Sequence, residues 1–135
     1  MKDDCIFCKL ANGVFETNTL YEDDSFRVIF DASPATNGHV LIIPKEHYAN
    51  VFELPDEVAS KVYVLAKKIA GVLKEVTGCE GVNILQNNGE AAGQTVFHFH
   101  MHIIPRYGED IIKWEQKEAN QEEIDNIISK AKSML

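Results

Sequence analysis

Three of the five histidines in this chain fall at alternate positions, His98, His100 and His102, within GQTVFHFHMHIIPR (residues 93–106). In an extended strand successive side chains point to opposite faces, so the imidazoles share one face and Phe97, Phe99, Met101 and Ile103 take the other. The apolar face needs a core to cover it, which makes the strand central and leaves the histidines lining a surface or cleft. One metal ion held by all three fits poorly. The outer pair is about 13 Å apart at about 3.3 Å per residue, whereas zinc–imidazole bonds are about 2.0–2.1 Å. Nucleophilic catalysis fits better, because a neutral imidazole attacks phosphorus and its neighbours oppose phosphate charge and move protons near neutral pH. Gln94 and Thr95 lie just before this run.

The second chemical feature is Cys5-x-x-Cys8. On a helix, three-residue spacing puts both sulfurs on one face, able to grip one metal ion. A redox dithiol is the alternative, without the βαβ context that such pairs usually have. The third cysteine, Cys79, follows Gly78 and reads as an inert small residue. An odd cysteine count with no secretory signal points to reduced thiols.

Several elements must position these groups. CIFCKLANG reads as a short helix closed by Gly13, and TLYED and SFRVIFD as two successive strands or a hairpin. ASPATNG (32–38) is a turn cluster, followed by the strand HVLIIP. Val58, Val62, Leu65, Ile69, Val72, Leu73 and Val76 recur at helical steps and predict one apolar stripe, with Pro55 in the first turn and Gly78 as the stop. GVNILQNN is a further strand, GEAAG a loop, and TVFHFHMHIIP the last and longest strand. A final helix starts at Asn120, with Glu123 completing a capping-box pattern. The order predicts α+β, an antiparallel sheet covered by helices on one side, with a long helix packed on it and short terminal helices.

Length indicates one domain over 1–135. The net charge of −8 argues against DNA or RNA as partner, since backbone affinity comes from clustered Lys and Arg. A small phosphate ligand is compatible with it. No apolar run approaches the roughly 18–20 residues of a membrane span, and the acidic opening MKDDCIFCKLANG is unlike a secretory signal. The expected location is the cytoplasm.

HFHMHII matches the histidine-triad pattern H-φ-H-φ-H-φ-φ, with φ apolar. Together with DASPATNGHVLIIPKEH and CIFCKLANG, it resembles the bacterial histidine-triad (HIT) nucleotide-binding proteins of the Hint branch. The resemblance covers a core from Cys5 to Tyr107 (5–107) and leaves 108–135 as a variable segment carrying a helix. It implies a HIT-like fold, a homodimer, a purine nucleotide such as AMP as substrate or product, and no organic cofactor.

The resemblance also implies residue roles. His100 matches a nucleophile that forms a covalent nucleotidyl-histidine at the α-phosphorus, and His102 and His39 match histidines beside the phosphate. Thr95 matches a hydroxyl at the leaving group, and Gln94 and Gly93 a phosphate-side loop. Asp31 matches an acid on the ribose hydroxyls and Asn87 a pocket amide. Ile6, Phe7, Leu10, Ile29 and Phe30 fall where relatives hold the base. Cys5, Cys8, His47 and His98 match a structural zinc site. Phosphoramidase chemistry is the leading expectation. Dinucleoside polyphosphate hydrolysis of the Fhit branch and low-turnover nucleotide sensing are its rivals. Trp114, in GEDIIKWEQKE (108–118), either reaches a partner's pocket or caps a dimer.

Overall fold

The computed structural model describes residues 1–108 and 111–135; Glu109 and Asp110, inside the 108–118 segment, lie outside the described residues. The chain runs α1 (Ile6–Ala11), β1 (Thr19–Glu22), β2 (Phe26–Phe30), β3 (Val40–Pro44), α2 (Asp56–Thr77), β4 (Gly81–Leu85), β5 (Met101–Arg106) and α3 (Gln121–Ala131). Among the described residues the strands form one antiparallel sheet in the order β1-β2-β3-β5-β4. The α+β architecture expected from the sequence is the one found.

Strand parity divides the sheet into two faces with different work. Phe26 and Val28 of β2, Val40 and Ile42 of β3, and Met101 and Ile103 of β5 pack with Phe99 against Val62, Leu65, Ala66, Ile69 and Leu73 of α2. The alternate residues, Ile29, Leu41 and Ile43, form a second cluster with Ala11, Phe7 and Leu10 of α1 on the opposite face. Helices therefore cover both sides of the sheet rather than one, because β3 and its neighbours are apolar on both faces. Strand β3 is buried throughout, which explains its unbroken apolar run, since both of its faces are covered.

Helix α2 begins one residue after Pro55, which is its N-cap rather than part of its first turn. Gly78 ends it at φ 68°, donating its N–H to the Lys74 carbonyl at 3.1 Å, a left-handed cap that favours glycine. The buried stripe is Val62, Leu65, Ala66, Ile69 and Leu73. Val72 and Val76, expected on it, are 41% and 71% exposed. Val72 lies at the edge of the buried row, and Val76 shares the row's angle but stands in the last turn, beyond Leu73, the last residue of the helix to be buried.

The last strand is shorter than the sequence suggested. It starts at Met101, so His98 and His100 precede it. The ladder to β3 pairs only Val40–Ile42 with Met101–Ile103. Beyond that point β3 reaches Pro44, which has no N–H to give. Phe99 gives its own N–H to the Tyr48 carbonyl at 2.6 Å instead. Alternation still holds for Phe99 and Met101, but Phe97 is 52% exposed and outside the core.

Helix α3 is capped as expected, Asn120 Oδ1 accepting from the Glu123 N–H at 3.2 Å, and buries none of its residues. No helix among the described residues is long and apolar enough to cross a membrane.

Candidate active site and metal centre

His102 faces Leu41 across the β3–β5 ladder, so parity puts it on the α1 face of the sheet with Ile29. His100 points the same way. Its ring makes an edge contact with Phe7 of α1 at 4.8 Å between centroids, and lies 5.1 Å from the His102 ring. Together these side chains border a cavity of about 610 Å³ lined by Phe7, Leu10, Ile29, Phe30, Asp31, Leu41, Thr95, His100 and His102, among others. That volume suits a small organic ligand, and its walls grade from apolar to polar as such sites do.

The hydrogen bonds fix which ring nitrogens carry protons. His100 Nδ1 lies 2.7 Å from the His98 carbonyl oxygen. A carbonyl only accepts, so Nδ1 carries the hydrogen and Nε2 keeps its lone pair. Burial holds the His100 imidazole below its ordinary pKa, keeping that lone pair available at neutral pH. His102 is pushed down to about 4, first by burial and then by the neighbouring His100 and His39. His39, 5% exposed, is also lowered by burial. Its Nε2 lies 2.9 Å from His102 Nδ1 and 3.5 Å from Asp31 Oδ2.

Other residues named from the sequence lie elsewhere. Gln94, 2% exposed, spends its amide on the local backbone: Nε2 donates to the carbonyls of Ala49 (2.7 Å) and Val96 (3.0 Å), and Oε1 accepts from the Gly89 N–H (2.8 Å). It ties the 86–96 loop to the chain ahead of α2 and does not line the cavity. Gly93 has φ 96° and backs onto the Asn87 side-chain amide; neither borders the cavity. Ile6 is 53% exposed and lies outside it too. Conversely, Glu16, Thr17, Asn18, Ala32 and Val96 border it without having been named. The loop from 12 to 18 has no periodicity or motif that marks it. Only its closure onto β2, with the Phe30 N–H bonded to the Asn18 carbonyl at 2.9 Å, brings it to the cavity.

A second cluster lies behind His100. The ligand atoms of Cys5, Cys8, His47 and His98 all fall within 4.8 Å of one another. Cys5 caps α1 and Cys8 lies in its first turn. His98 Nδ1 is 3.4 Å from Cys5 Sγ and 3.3 Å from Cys8 Sγ, and His47 Nδ1 is 3.3 Å from Cys8 Sγ. Tetrahedral zinc, at the bond lengths sulfur and imidazole give it, separates such donors by about 3.5 Å. His98 Nε2 donates to the Pro44 carbonyl at 2.8 Å, leaving the Nδ1 lone pair turned to the sulfurs. This is the outer-shell bond that orients a ligating imidazole. The donor set and its tautomer therefore fit zinc.

A row of oriented imidazoles flooring a nucleotide-sized cleft, backed by a cysteine–histidine cluster on one antiparallel sheet, defines a histidine-triad architecture. Residues 12–109 match the HIT domain family, and the chain belongs to that family. It is 47% identical over 106 residues to Protein hit of Bacillus subtilis (78% of this chain, 73% of that protein). It is 39% identical over 123 residues to the adenosine 5'-monophosphoramidase hnt1 of Schizosaccharomyces pombe (89% and 90%). Identity to the adenylylsulfatase HINT3 of Arabidopsis thaliana is 42% over 112 residues, 83% of this chain but only 57% of that longer protein. Among solved structures, a HIT family protein from Bacillus anthracis superposes with TM-score 0.89 at 41% identity, covering 100% and 99% of the two chains. A zinc-bound histidine triad family protein from Mycobacterium smegmatis gives 0.77 at 32%, covering 98% of each.

Proposed function

We propose that this chain is a nucleotide hydrolase acting at the α-phosphorus of nucleoside phosphoramidates or related conjugates, through a nucleotidyl-histidine formed on His100. The observation that carries the reading is the fixed tautomer of His100. Its Nδ1–H is given to the His98 carbonyl at 2.7 Å, so Nε2 is the basic nitrogen of a ring that borders the cavity. Relatives named for phosphoramidase and adenylylsulfatase activity support nucleotide hydrolysis of this kind.

Attack by the His100 Nε2 lone pair forms an N–P bond and breaks the bond from phosphorus to the leaving amine, which takes up a proton from water. The carbonyl bond stabilises the positive charge growing on the ring. His102 and His39 supply hydrogen-bond and electrostatic support where negative charge develops on the phosphate oxygens, and Thr95, at the cavity wall, assists the leaving group. Water then cleaves the N–P bond, releases the nucleoside monophosphate and regenerates His100. Asp31 accepts hydrogen bonds from the ribose hydroxyls, and Phe7, Leu10, Ile29 and Phe30 enclose the base. Gln94 acts through the geometry of the 86–96 loop, which also carries Asn87 and Gly93, and Ile6 takes no part in the cavity wall.

Cys5, Cys8, His47 and His98 would hold a structural zinc ion, which supplies a cross-link rather than reaction chemistry. The reading includes a homodimer and a purine nucleotide such as AMP as product.

The test is turnover of an adenosine phosphoramidate by the wild type and by His100→Ala, with mass spectrometry of quenched reactions for adenylylated His100. Loss of at least about 10³-fold in kcat is expected on removing a nucleophile. Full activity in His100→Ala sinks the proposal. Adenosine 5'-phosphosulfate as a parallel substrate separates the amine from the sulfate leaving group.

A further inference from the structure

Asp31, His39 and His102 bring their ligand atoms within 4.8 Å of one another, which on distance alone resembles a second metal site. The hydrogen bond behind the cluster gives it a different role. The Ala35 backbone N–H donates to His39 Nδ1 at 2.9 Å. A backbone amide cannot accept, so His39 Nδ1 holds a lone pair and the hydrogen of the neutral ring is on Nε2. That Nε2–H points at His102 Nδ1, 2.9 Å away. His102 Nδ1 therefore accepts, and its own hydrogen is on Nε2, the nitrogen left over in a ring that borders the cavity.

We propose that the Ala35 backbone N–H is a positioning group that locks the tautomers of His39 and His102, making His102 a fixed hydrogen-bond donor to the substrate phosphate rather than a proton carrier. This rests on the hydrolase reading above and assigns the third triad histidine its part in it. The chain is one-directional: Ala35 N–H to His39, His39 Nε2–H to His102, His102 Nε2–H to the cavity. His102 could surrender its Nε2 hydrogen and recover one through Nδ1 only if His39 became an imidazolate, an anion far too basic to form near neutral pH. A metal ion at His39 Nε2 would demand the same imidazolate, so the lock also keeps cations out.

The 32–38 loop is built to hold that N–H in place. The Thr36 hydroxyl donates to the Pro105 carbonyl at 2.6 Å, and the Tyr107 hydroxyl donates to the Asn37 carbonyl at 2.8 Å, stapling the loop to β5 and the residue after it. The Asp31 N–H bonds the His39 carbonyl at 3.0 Å, and the Ser33 N–H bonds Asp31 Oδ1 at 2.8 Å. At Gly38, with φ 93°, a Cβ would meet Pro105 Cγ at 3.3 Å. The loop therefore lies closely on the strand that carries His102.

The test reads the tautomers directly, by long-range proton–nitrogen correlation of the imidazoles in ¹⁵N-labelled wild-type protein without substrate at neutral pH. Both His39 and His102 are expected as Nε2–H tautomers, and an Nδ1–H tautomer at either overturns the inference. Ala35→Pro deletes the donor, and Ala35→Gly keeps it as a control. In folded Ala35→Pro, His39 should become a tautomer mixture and kcat on an adenosine phosphoramidate should fall about ten-fold or more, with KM less affected; unchanged tautomers and kcat would overturn the lock. Should Ala35→Pro not fold, the wild-type spectrum decides alone. Titrating zinc-loaded protein with further Zn²⁺ should show no second ion, and one lost on His102→Ala would overturn the lock. A wild-type protein with the expected spectrum but no turnover of any nucleotide conjugate would sink the hydrolase reading while leaving the tautomer lock supported.

Discussion

At the scale of single residues, three imidazoles at equal spacing have three different environments, and hydrogen bonds to backbone groups separate them. His98 gives Nε2–H to Pro44 and turns Nδ1 to sulfur. His100 gives Nδ1–H to a carbonyl and keeps Nε2 bare. His102 accepts at Nδ1. The sequence alone supported their shared face and their residue types, because both follow from strand parity. It could not supply the tautomers, since the partners are carbonyls and an amide N–H at residues 35, 44 and 98, which every sequence has everywhere. One prediction follows from burial. His102 titrates near 4 in the folded protein against an ordinary value of 6.5, so the unfolded chain takes up its proton first as pH falls. Its contribution to stability is full above about pH 6.5 and is lost as the pH drops from there towards 4. The slope is at most about 1.4 kcal/mol per pH unit, less for a partly exposed ring. Urea unfolding at pH 7.5, 6 and 5 should show the decline, and His102→Gln should flatten it; an unaltered slope in the variant would contradict the assignment.

At the scale of elements, α1 contributes to both sites. Its N-cap Cys5 and first-turn Cys8 face His47 and His98, and Phe7 presses on His100. A zinc ion there would tie a six-residue helix, too short to persist alone, to the segment just before β5. Chelation or Cys8→Ser should therefore lower the melting temperature by on the order of 10 °C and weaken AMP binding, while metal analysis falls from one zinc per chain to none. An unchanged melting temperature in metal-free protein would count against a structural ion. Gln94 makes the complementary case. Its pairing with Thr95 ahead of the histidines suggested chemistry, but its three hydrogen bonds hold a loop. Gln94→Ala should cost about 2–4 kcal/mol by denaturant titration through stranded backbone groups. Loss of activity without loss of stability would instead return it to the chemistry. The start of β5 differs from the expected one for a related reason: alternation of residue types runs through 97–100, whereas the ladder begins only at Met101 because Pro44 cannot donate.

For the whole molecule, the sheet separates stability from chemistry. One face buries Phe99, Ile42 and Ile103 under α2, and the other carries the cavity. Phe99→Ala should cost about 3–5 kcal/mol in a denaturant melt and leave the relative rates on different nucleotide conjugates unchanged. A shift in substrate preference would mean the two faces are coupled. The long helix and the strand run were legible because period and parity are properties of the string, whereas the placing of α1 on the second face was not. The 12–18 wall of the cavity was not, because it depends on where a loop without pattern is folded back. The exposed apolar residues of the tail, Ile111 and Trp114 at 62% and 78%, and the unburied α3 would be covered in the homodimer of the proposed reading. Sedimentation equilibrium should give twice the chain mass, and a monomer at micromolar concentration would argue against it.

The halt of the ladder short of Pro44 leaves the chain from His98 to His100 without strand partners, yet Phe99 still belongs to the core and His98 and His100 to the two sites. What this stretch encodes is parity, much as a reading frame does. Replacing one of its side chains disturbs one job. Adding or deleting one residue between His98 and Met101 would exchange inside for outside at every position up to the next anchor. The segment can therefore accept changes in what its residues are far more readily than changes in how many there are.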